Sequence, residues 1–202
     1  MKVSIFKKIM AYLLDAMPIF LLLMILNTLF VAEILKNPYE DYDANYEVYQ
    51  QNVDEYYNTI DLYYLDFENE VITQDEYDTQ VSTLRDDFLE INGETETVIY
   101  SYLTRLIYYF LISFLVVKYL YNIFTKGQTF GLKLMKLEMV GKITWFSLLL
   151  RELFWRELYW LFTFGLGLFV DLLMVTFTKK NRTLRDILSN TSIIYQGTSY
   201  PF

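Results

Sequence analysis

The sequence of 202 residues contains no cysteine and no histidine, and it has only 7 glycines and 3 prolines. The first absence excludes disulfides, thiolate or imidazole metal ligands, cysteine or histidine catalysis and a histidine pH switch. The low glycine and proline content, together with a hydrophobic fraction of 54%, excludes a disordered or collagen-like chain. No triad, paired-carboxylate site or metal cluster is recognisable, so we expect a protein that is not an enzyme and that needs no metal or cofactor.

Basic residues are nearly absent from residues 37–97. Between Asn37 and Thr97 there are 18 acidic residues and a single basic one, Arg85, for a net charge of −17. The remainder carries a net +9. Its basic residues flank apolar runs instead of forming one stripe, which argues against nucleic-acid binding. We therefore expect one strongly acidic segment inserted into an apolar, basic protein.

Two apolar runs of 27 residues, Ile9–Leu35 and Val98–Phe124, bracket the acidic segment. At 1.5 Å per residue each spans roughly 40 Å, enough to cross a hydrocarbon core of about 30 Å. A cleaved signal peptide is the alternative for the first run, but the run is long and no small-x-small cleavage site follows it. Lys2, Lys7 and Lys8 precede it and predict a cytoplasmic N-terminus.

A third apolar region, residues 143–178, has basic residues on both sides. The positive-inside rule places both flanks in the cytoplasm, so this region should cross the membrane twice or re-enter it. Gly165 and Gly167 are the predicted turn, and the charged residues between Arg151 and Glu157 are expected to pair inside a bundle. The sequence therefore predicts an all-α integral membrane protein of about four membrane-embedded helices, in the cell membrane, with both termini cytoplasmic.

The acidic segment has helical periodicity. Its aromatic and aliphatic residues from Tyr39 to Phe67 recur at alternating spacings of three and four, as in a heptad stripe. Thr73-Gln-Asp-Glu76 is typical of a capping box that starts a second helix, whose stripe runs from Tyr77 to Ile91, with Asn92-Gly93 as its stop. We expect an extracytoplasmic helical hairpin. Its tyrosine-rich seam packs against itself or, alternatively, binds a protein or carbohydrate; weak calcium binding by the acidic face is a further alternative.

Two short stretches, Leu134–Val140 and Thr191–Tyr195, are compatible with β-strands. Both lie on the predicted cytoplasmic side, so they could pair as a two-stranded ribbon supported by the bundle.

Four motifs occur in a fixed order along the apolar parts of the chain. They are Lys8 seven residues before Asp15, Gly127-Gln-Thr-Phe-Gly131-Leu-Lys133-Leu, Leu150-Arg151, and Arg182-Thr-Leu-Arg-Asp186-Ile-Leu-Ser-Asn-Thr191. Together they resemble the RDD family of multi-pass membrane proteins, named for one arginine and two aspartates. The resemblance covers roughly residues 1–36 and 98–196. It implies either a transport-related role, with some members similar to cation/proton antiporters in activity, or a non-catalytic assembly partner.

The resemblance identifies Asp15 and Asp186 as the two family aspartates, and places Lys8 where the family has its arginine. Lysine keeps the positive charge but lacks the two-pronged guanidinium. Arg185 stands at a position that is often histidine in the family. Gly127, Gln128, Thr129 and Gly131 form a juxtamembrane turn, which we expect to contact lipid headgroups or the segment Arg182–Asp186 rather than a nucleotide.

Three ionisable residues lie at a similar predicted depth, roughly 9–12 Å below the cytoplasmic boundary: Asp15, Lys118 and Asp171. Intramembrane charges are costly unless they are paired, so we expect these three to form one cluster, either as a structural ion-pair cluster or as a transport relay. The candidate site residues are therefore Lys8, Asp15, Lys118, Arg151, Asp171 and Asp186, with Gly127, Gln128, Thr129 and Gly131 as the juxtamembrane motif.

The predicted organisation is a first membrane helix (1–36), the acidic hairpin (37–97), the remaining membrane domain (98–196, with a cytoplasmic loop at 125–142) and a tail (197–202). Two functions follow. The first is transport, of small cations for example, through buried charged residues. The second is a membrane scaffold whose external hairpin docks another protein. The lipid bilayer is the expected environment in both.

Overall fold

The computed structural model describes residues 3–39, 41–177 and 182–198. Of these residues 79% are helical, with almost no sheet. The chain divides into two compact units, one formed by Met1–Leu26 and Tyr109–Phe202 and the other by Asn27–Tyr108. Lys2, Lys179 and Lys180, used above to predict orientation, lie outside the described residues, as does most of the predicted tail.

The helices and strands follow one another along the chain with short connections. Their bounds are α1 Ile5–Leu26, π1 Asn27–Val31, α2 Ala32–Lys36, α3 Tyr42–Glu68, α4 Gln74–Phe124, α5 Phe130–Leu134, β1 Leu137–Gly141, α6 Trp145–Leu148, π2 Leu149–Leu158, α7 Tyr159–Phe162, α8 Leu166–Phe177, α9 Leu184–Leu188 and β2 Thr191–Tyr195.

Two helical stretches in the described chain, Ile5–Lys36 and Gln74–Phe124, are long and apolar enough to cross a membrane. Their apolar side chains are mostly exposed: Leu22 is 58% and Ile112 is 59% accessible. A core helix of a soluble domain would bury such residues, so these surfaces need an apolar environment. The first stretch ends at Lys36, directly before Asn37-Pro38, as predicted from the restriction that proline places on the preceding residue.

In the unit Asn27–Tyr108, α3 and the first half of α4 run antiparallel and contact each other through aromatic side chains. Tyr49 and Tyr56 both pack on Phe88, with ring centroids 6.1 and 4.9 Å apart, and Phe67 meets Tyr77 at 5.7 Å. The predicted stripe therefore packs against itself at these positions. The capping box is also confirmed, since the Thr73 N–H donates to Glu76 at 2.8 Å and the Glu76 N–H donates to Thr73 at 3.3 Å.

The predicted end of the second helix at Asn92-Gly93 is wrong, because α4 continues through it to Phe124. Glycine costs a helix interior only about 1 kcal/mol, which a continuous apolar sequence outweighs. The predicted stripe is confirmed as far as Phe88, but its last position is wrong: Ile91 is 74% exposed, whereas Asn92 is buried. Asn92 accepts a hydrogen bond from Asn52 at 2.7 Å, so a polar pair replaces the expected apolar contact.

In the other unit, β1 and β2 form an antiparallel pair with Leu137 opposite Tyr195 and Gly141 opposite Thr191. The pairing was predicted, but the first strand begins three residues later than expected because α5 occupies Phe130–Leu134. Leu137 and Met139 point into a small apolar core with the buried residues Val3, Ala11, Leu132 and Leu148. The ribbon thus packs against Val3 and Ala11, at the N-terminal end of α1.

Residues 145–177 form helical elements that reverse direction once. The helical run α6, π2 and α7 ends at Phe162, and α8 starts at Leu166. Gly165 sits in the turn with φ +85°, a left-handed conformation that suits glycine. Gly167, also predicted to mark the turn, lies inside α8 instead, where a Cβ would come within 2.6 Å of the Trp160 ring.

Candidate functional site

The unit formed by residues 1–26 and 109–202 contains many buried charged side chains. An isolated buried charge costs several kcal/mol, so each of them should have partners of opposite sign. The buried charged residues of this unit in the described chain are Lys8, Asp15, Lys118, Arg151, Glu152, Arg156, Asp171, Arg185 and Asp186.

Asp186 is the most buried of them, with no exposed surface. It lies in the first turn of α9, where it and Thr183 form a capping box. One carboxylate oxygen accepts from the Lys8 ammonium at 3.3 Å, and the other pairs with the Arg151 guanidinium. Burial raises the pKa of the Asp186 carboxyl, but the attraction of Arg151 and Lys8 outweighs it and holds that pKa well below its usual range. Lys8 therefore pairs with one carboxylate oxygen of Asp186, and Arg151 pairs with the other.

The π2 helix arranges the next charges in two columns. A π-helix closes its hydrogen bonds from i to i+5, so residues five apart lie one turn above each other. Arg151 and Arg156 form a cationic column and Glu152 and Glu157 an anionic one, side by side. Arg151 donates to Glu152 at 2.8 Å, Arg156 pairs with Glu152, and Arg156 lies 3.2 Å from Glu157.

Asp15, on α1, binds the turn that follows α4. Its carboxylate accepts from the Gly131 backbone N–H at 2.7 Å and from the Tyr121 hydroxyl at 3.1 Å. A side chain at Gly131 would overlap the backbone carbonyl of Ala11 and approach the Asp15 carboxylate. Glycine at this position therefore allows α5 to lie directly on α1 and to donate to Asp15.

Lys118, on α4, is 2% exposed, and its ammonium lies 4.7 Å from the centre of the Tyr12 ring. Arg156 approaches the same ring at 4.5 Å. Lys118 interacts electrostatically with Asp15 and with the glutamates of π2. Beside it lies a cavity of about 20 Å³, which borders α1, α4, π2 and α9. Its charged lining consists of Lys8, Asp15, Lys118, Glu152, Arg156 and Arg185.

Asp171 is not part of this cavity lining, and the expected cluster of Asp15, Lys118 and Asp171 differs from the arrangement in the structure. Asp171 accepts from the Leu184 backbone N–H at 3.0 Å and lies 3.6 Å from the Arg185 guanidinium. An equal depth along three helices does not fix which faces meet, and Arg185 approaches from α9 to take Asp171 as its partner. Asp15 and Lys118 remain neighbours across the cavity.

The juxtamembrane motif acts as a connector. Gln128 donates to the Met139 carbonyl at 2.7 Å and accepts from the Met139 N–H at 3.3 Å, which ties the turn to β1. Thr129 is buried at the start of α5, and Gly127 has φ +74°. Among the described residues, the motif contacts α1 through Gly131 and β1 through Gln128, whereas we expected lipid headgroups or Arg182–Asp186.

Glu152 and Arg156 pair as expected for the charges at 151–157, but the candidate site predicted from the sequence did not include them or Arg185. On an α-helical wheel the charges at 151–157 point in several directions, because such a wheel assumes fewer residues per turn than the π-helix has. The signal that could have found them is the repeat of Arg-Glu at an interval of five, Arg151-Glu152 and Arg156-Glu157, which places like charges in line only in a π-helix.

A sequence model of the RDD family matches residues 2–190. The chain belongs to the RDD family. The matched range includes the acidic segment, which we had placed outside the resemblance. No curated protein and no solved structure matches the chain. The RDD family is generally a family of membrane proteins, which agrees with the two long, apolar helices of this chain.

In this RDD protein, Lys8 and Asp186, two of the three residues that the motifs predicted as the family's name-giving positions, bind each other, although they are 178 residues apart in sequence. The third, Asp15, holds the motif glycine Gly131. These three residues thus join the first helix to α5 and to α9. The side chains of Lys8, Asp15 and Asp186 can orient helices and hold polar groups at the cavity. In the described part of the chain no group of three acidic residues could hold a metal ion.

Proposed function

We propose that this RDD protein takes part in the transport of a small ion, with the cavity between Asp15 and Lys118 as the place where the ion is held. The observation that supports this proposal is that charged side chains from four different elements line one polar cavity beside apolar helices. Ionisable residues at membrane depth mark ion pathways in many transporters. A cavity of about 20 Å³ suits a single small ion and no organic solute.

The membrane arrangement behind this proposal has about four embedded helices. α1 with α2 and the second half of α4 are the two crossing helices, and the helical run from α6 to α8 supplies two shorter ones. The basic segments 125–142 and 182–185 favour a cytoplasmic position for the cavity side of the protein and for both termini. The acidic segment 37–97 then lies outside, in a protein of the cell membrane without a catalytic step.

The proposed relay differs from the one expected from sequence. Asp15 and Lys118 keep their roles, while Asp171 is replaced by the π2 residues Glu152 and Arg156, which border the cavity. Opening of the cavity would require exchange among these paired charges. Glu152 lies between Arg151 and Arg156, and Asp186 lies between Lys8 and Arg151, so these two carboxylates each have two cations between which they could exchange.

Flux measurements in proteoliposomes test the proposal. Asp15→Asn removes the negative charge next to Lys118 and should abolish ion-dependent flux, whereas Asp61→Asn, an exposed change on α3, should leave it at the wild-type level. Both variants are compared at equal protein density and with equal thermal stability in detergent. Wild-type protein that carries neither cations, anions nor protons under an imposed gradient would contradict a transport role.

A second candidate function is a membrane scaffold whose acidic hairpin docks another protein. The observation that favours it is the exposed hydrophobic surface on α3, where Tyr57 is 61%, Leu62 is 60% and Tyr64 is 52% accessible outside the packed seam. Photo-crosslinking from position 57 in cells should then give one discrete adduct, which a crosslinker at the seam position 56 should not give. A ladder of weak adducts from both positions would contradict docking.

A further inference from the structure

The unit Asn27–Tyr108 contains a second, larger cavity, which shares no lining residue with the cavity at Asp15 and Lys118. Its volume is about 560 Å³, and π1, α2, α3 and α4 all contribute to its wall. Cavities of about 300–1,000 Å³ are typical of sites that hold small organic molecules. Five tyrosines form most of the wall together with three aliphatic residues: Ile99, Leu103 and Leu106. We call it the tyrosine cavity.

The tyrosine cavity lies where both long helical stretches change from apolar to polar sequence. On the first stretch its lining ends at Lys36, the last residue of α2. On α4, Glu96 precedes the apolar run, whereas Tyr100 and Leu103 lie within it. Tyr100 is 62% and Leu103 is 42% exposed, so the cavity opens on the apolar surface of α4. An apolar chain can therefore enter from the lipid with its polar end toward the acidic segment.

One charged group in this lining has no partner of opposite sign. The charged side chains that line the tyrosine cavity are Lys36, Asp43 and Glu96. Lys36 pairs with Asp43 at 2.8 Å and with Glu33 at 3.3 Å. Glu96 is half-buried and forms no ion pair with any described residue. The unit has two further cationic residues, and neither lines the cavity: Arg85 and Arg105.

The tyrosines of this unit attract positive charge. The Lys36 ammonium lies 5.8 Å from the centre of the Tyr42 ring, and the Arg105 guanidinium lies 5.5 Å from the centre of the Tyr39 ring. The face of an aromatic ring carries partial negative charge, which is why aromatic sites recognise ammonium ligands. An aromatic wall beside the carboxylate of Glu96 therefore favours a cationic group over a neutral or anionic one.

We propose that the tyrosine cavity binds an amphipathic ammonium compound, with its cationic head beside Glu96 and its apolar chain along Leu103 and Leu106. The head supplies the charge that Glu96 lacks, and the chain covers the aliphatic wall. A metal ion would leave that wall uncovered, and an anionic amphiphile would be repelled by Glu96. This chemistry has two sources, a lipid with an ammonium headgroup, such as phosphatidylethanolamine, and a free alkylammonium compound. The site does not depend on ion transport.

Thermal unfolding of the full-length protein in an uncharged maltoside detergent tests the site. The probe is decyltrimethylammonium, and the controls with the same chain are decyl sulfate and decanol, all at constant ionic strength. We expect a saturable rise of the unfolding temperature with the ammonium compound alone, about 3–6 °C at tenfold its dissociation constant. No rise with decyltrimethylammonium, or an equal rise with decyl sulfate, would overturn the proposal.

Two variants locate the bound head. Glu96→Gln should weaken the apparent affinity about tenfold or more, because it removes the charge that faces the ammonium. Tyr46→Leu, which removes one ring of the lining, should weaken it about two- to fivefold. Glu90→Gln is the matched control, because Glu90 is exposed on the same helix and does not line the cavity. Equal affinity in all four proteins would overturn the proposal. If Glu96→Gln fails to fold, Tyr46→Leu decides the outcome.

Competition separates the two sources of the ligand. Binding of decyltrimethylammonium is measured again in the presence of dioctanoyl phosphatidylethanolamine or dioctanoyl phosphatidylglycerol. Competition by the ethanolamine lipid alone would assign the site to a lipid headgroup, and competition by neither lipid would assign it to free alkylammonium compounds. Equal competition by both lipids would overturn the proposal, because the site would then not distinguish the charge of the head.

Flux measurements separate this site from the proposed transport function. Glu96→Gln should carry ions in proteoliposomes at the wild-type rate, because Glu96 does not line the cavity at Asp15 and Lys118. Binding of decyltrimethylammonium by a wild-type protein that carries no ion would support this site and remove the transport role. Ion flux without any binding of the ammonium compound would retain transport and overturn this inference.

Discussion

Replacement of Gly131 by alanine should separate α5 from α1 and weaken the contact with Asp15. The added methyl group would overlap the Ala11 carbonyl and lie 2.9 Å from the Asp15 carboxylate. Neither helix backbone can yield without lengthening the 2.7 Å hydrogen bond from Gly131 to Asp15. Overpacking costs about 1–3 kcal/mol and loss of a hydrogen bond to a charged group about 1.5–3 kcal/mol. We therefore expect a loss of about 3–5 kcal/mol.

The same substitution at Gly93 is the matched control. Gly93 lies inside α4, and a Cβ there would meet no atom within 4 Å. Alanine favours the helix by about 1 kcal/mol over glycine, so Gly93→Ala should raise stability slightly. For a chain of this size, 1 kcal/mol corresponds to about 2–4 °C in Tm. Tryptophan fluorescence on heating in detergent should thus show a drop of about 6–20 °C for Gly131→Ala and a small rise for Gly93→Ala.

The reasoning would be refuted if Gly131→Ala unfolded within about 2 °C of the wild type, since that is the size of the control effect. Equal destabilisation by both alanine substitutions would also refute it, because it would show that helical glycines matter here for a reason other than close packing.

Three further predictions concern charge and topology. Because the folded-state pKa of Asp186 is lowered, its stabilisation is present above the unfolded pKa of about 4 and is lost as the pH falls, so Tm should fall less steeply in Asp186→Asn than in wild type. A cysteine at position 52 should react with an impermeant maleimide in intact cells. Labelling only after lysis would show that the acidic segment is cytoplasmic and would contradict the proposed topology. The fragment 37–95 should show helical circular dichroism, stronger at low pH as carboxylate repulsion falls; a coil spectrum throughout would contradict independent folding.

Local signals in the sequence predicted most of the elements. The heptad spacing from Tyr39 to Phe67, the capping box at Thr73 and the strand-like Thr191–Tyr195 each depend on neighbours a few residues away. Such patterns follow directly from the geometry of helix faces, helix caps and pleated strands. The stop at Asn92-Gly93 failed because a glycine signal is weak against the apolar sequence that follows it.

Pairing within the charged site could be predicted only in part. The motif order identified Lys8, Asp15, Arg151 and Asp186, but charge and depth alone do not select partners among several buried cations. Arg185 lies next to Asp186 in sequence, yet it reaches Asp171. The charges of π2 line up in columns only in a π-helix, and no local propensity rule predicts a π-helix from the sequence.

The bond between Lys8 and Asp186 has a consequence for the order of biosynthesis. Lys8 is synthesised before its partner, which follows 178 positions later. At typical synthesis rates of about 5–20 residues per second, the first helix waits roughly 10–40 s in the membrane without that partner. Asp15 waits for Gly131 in the same way. The contacts that join α1 to α5 and α9 therefore form only after most of the chain has been synthesised.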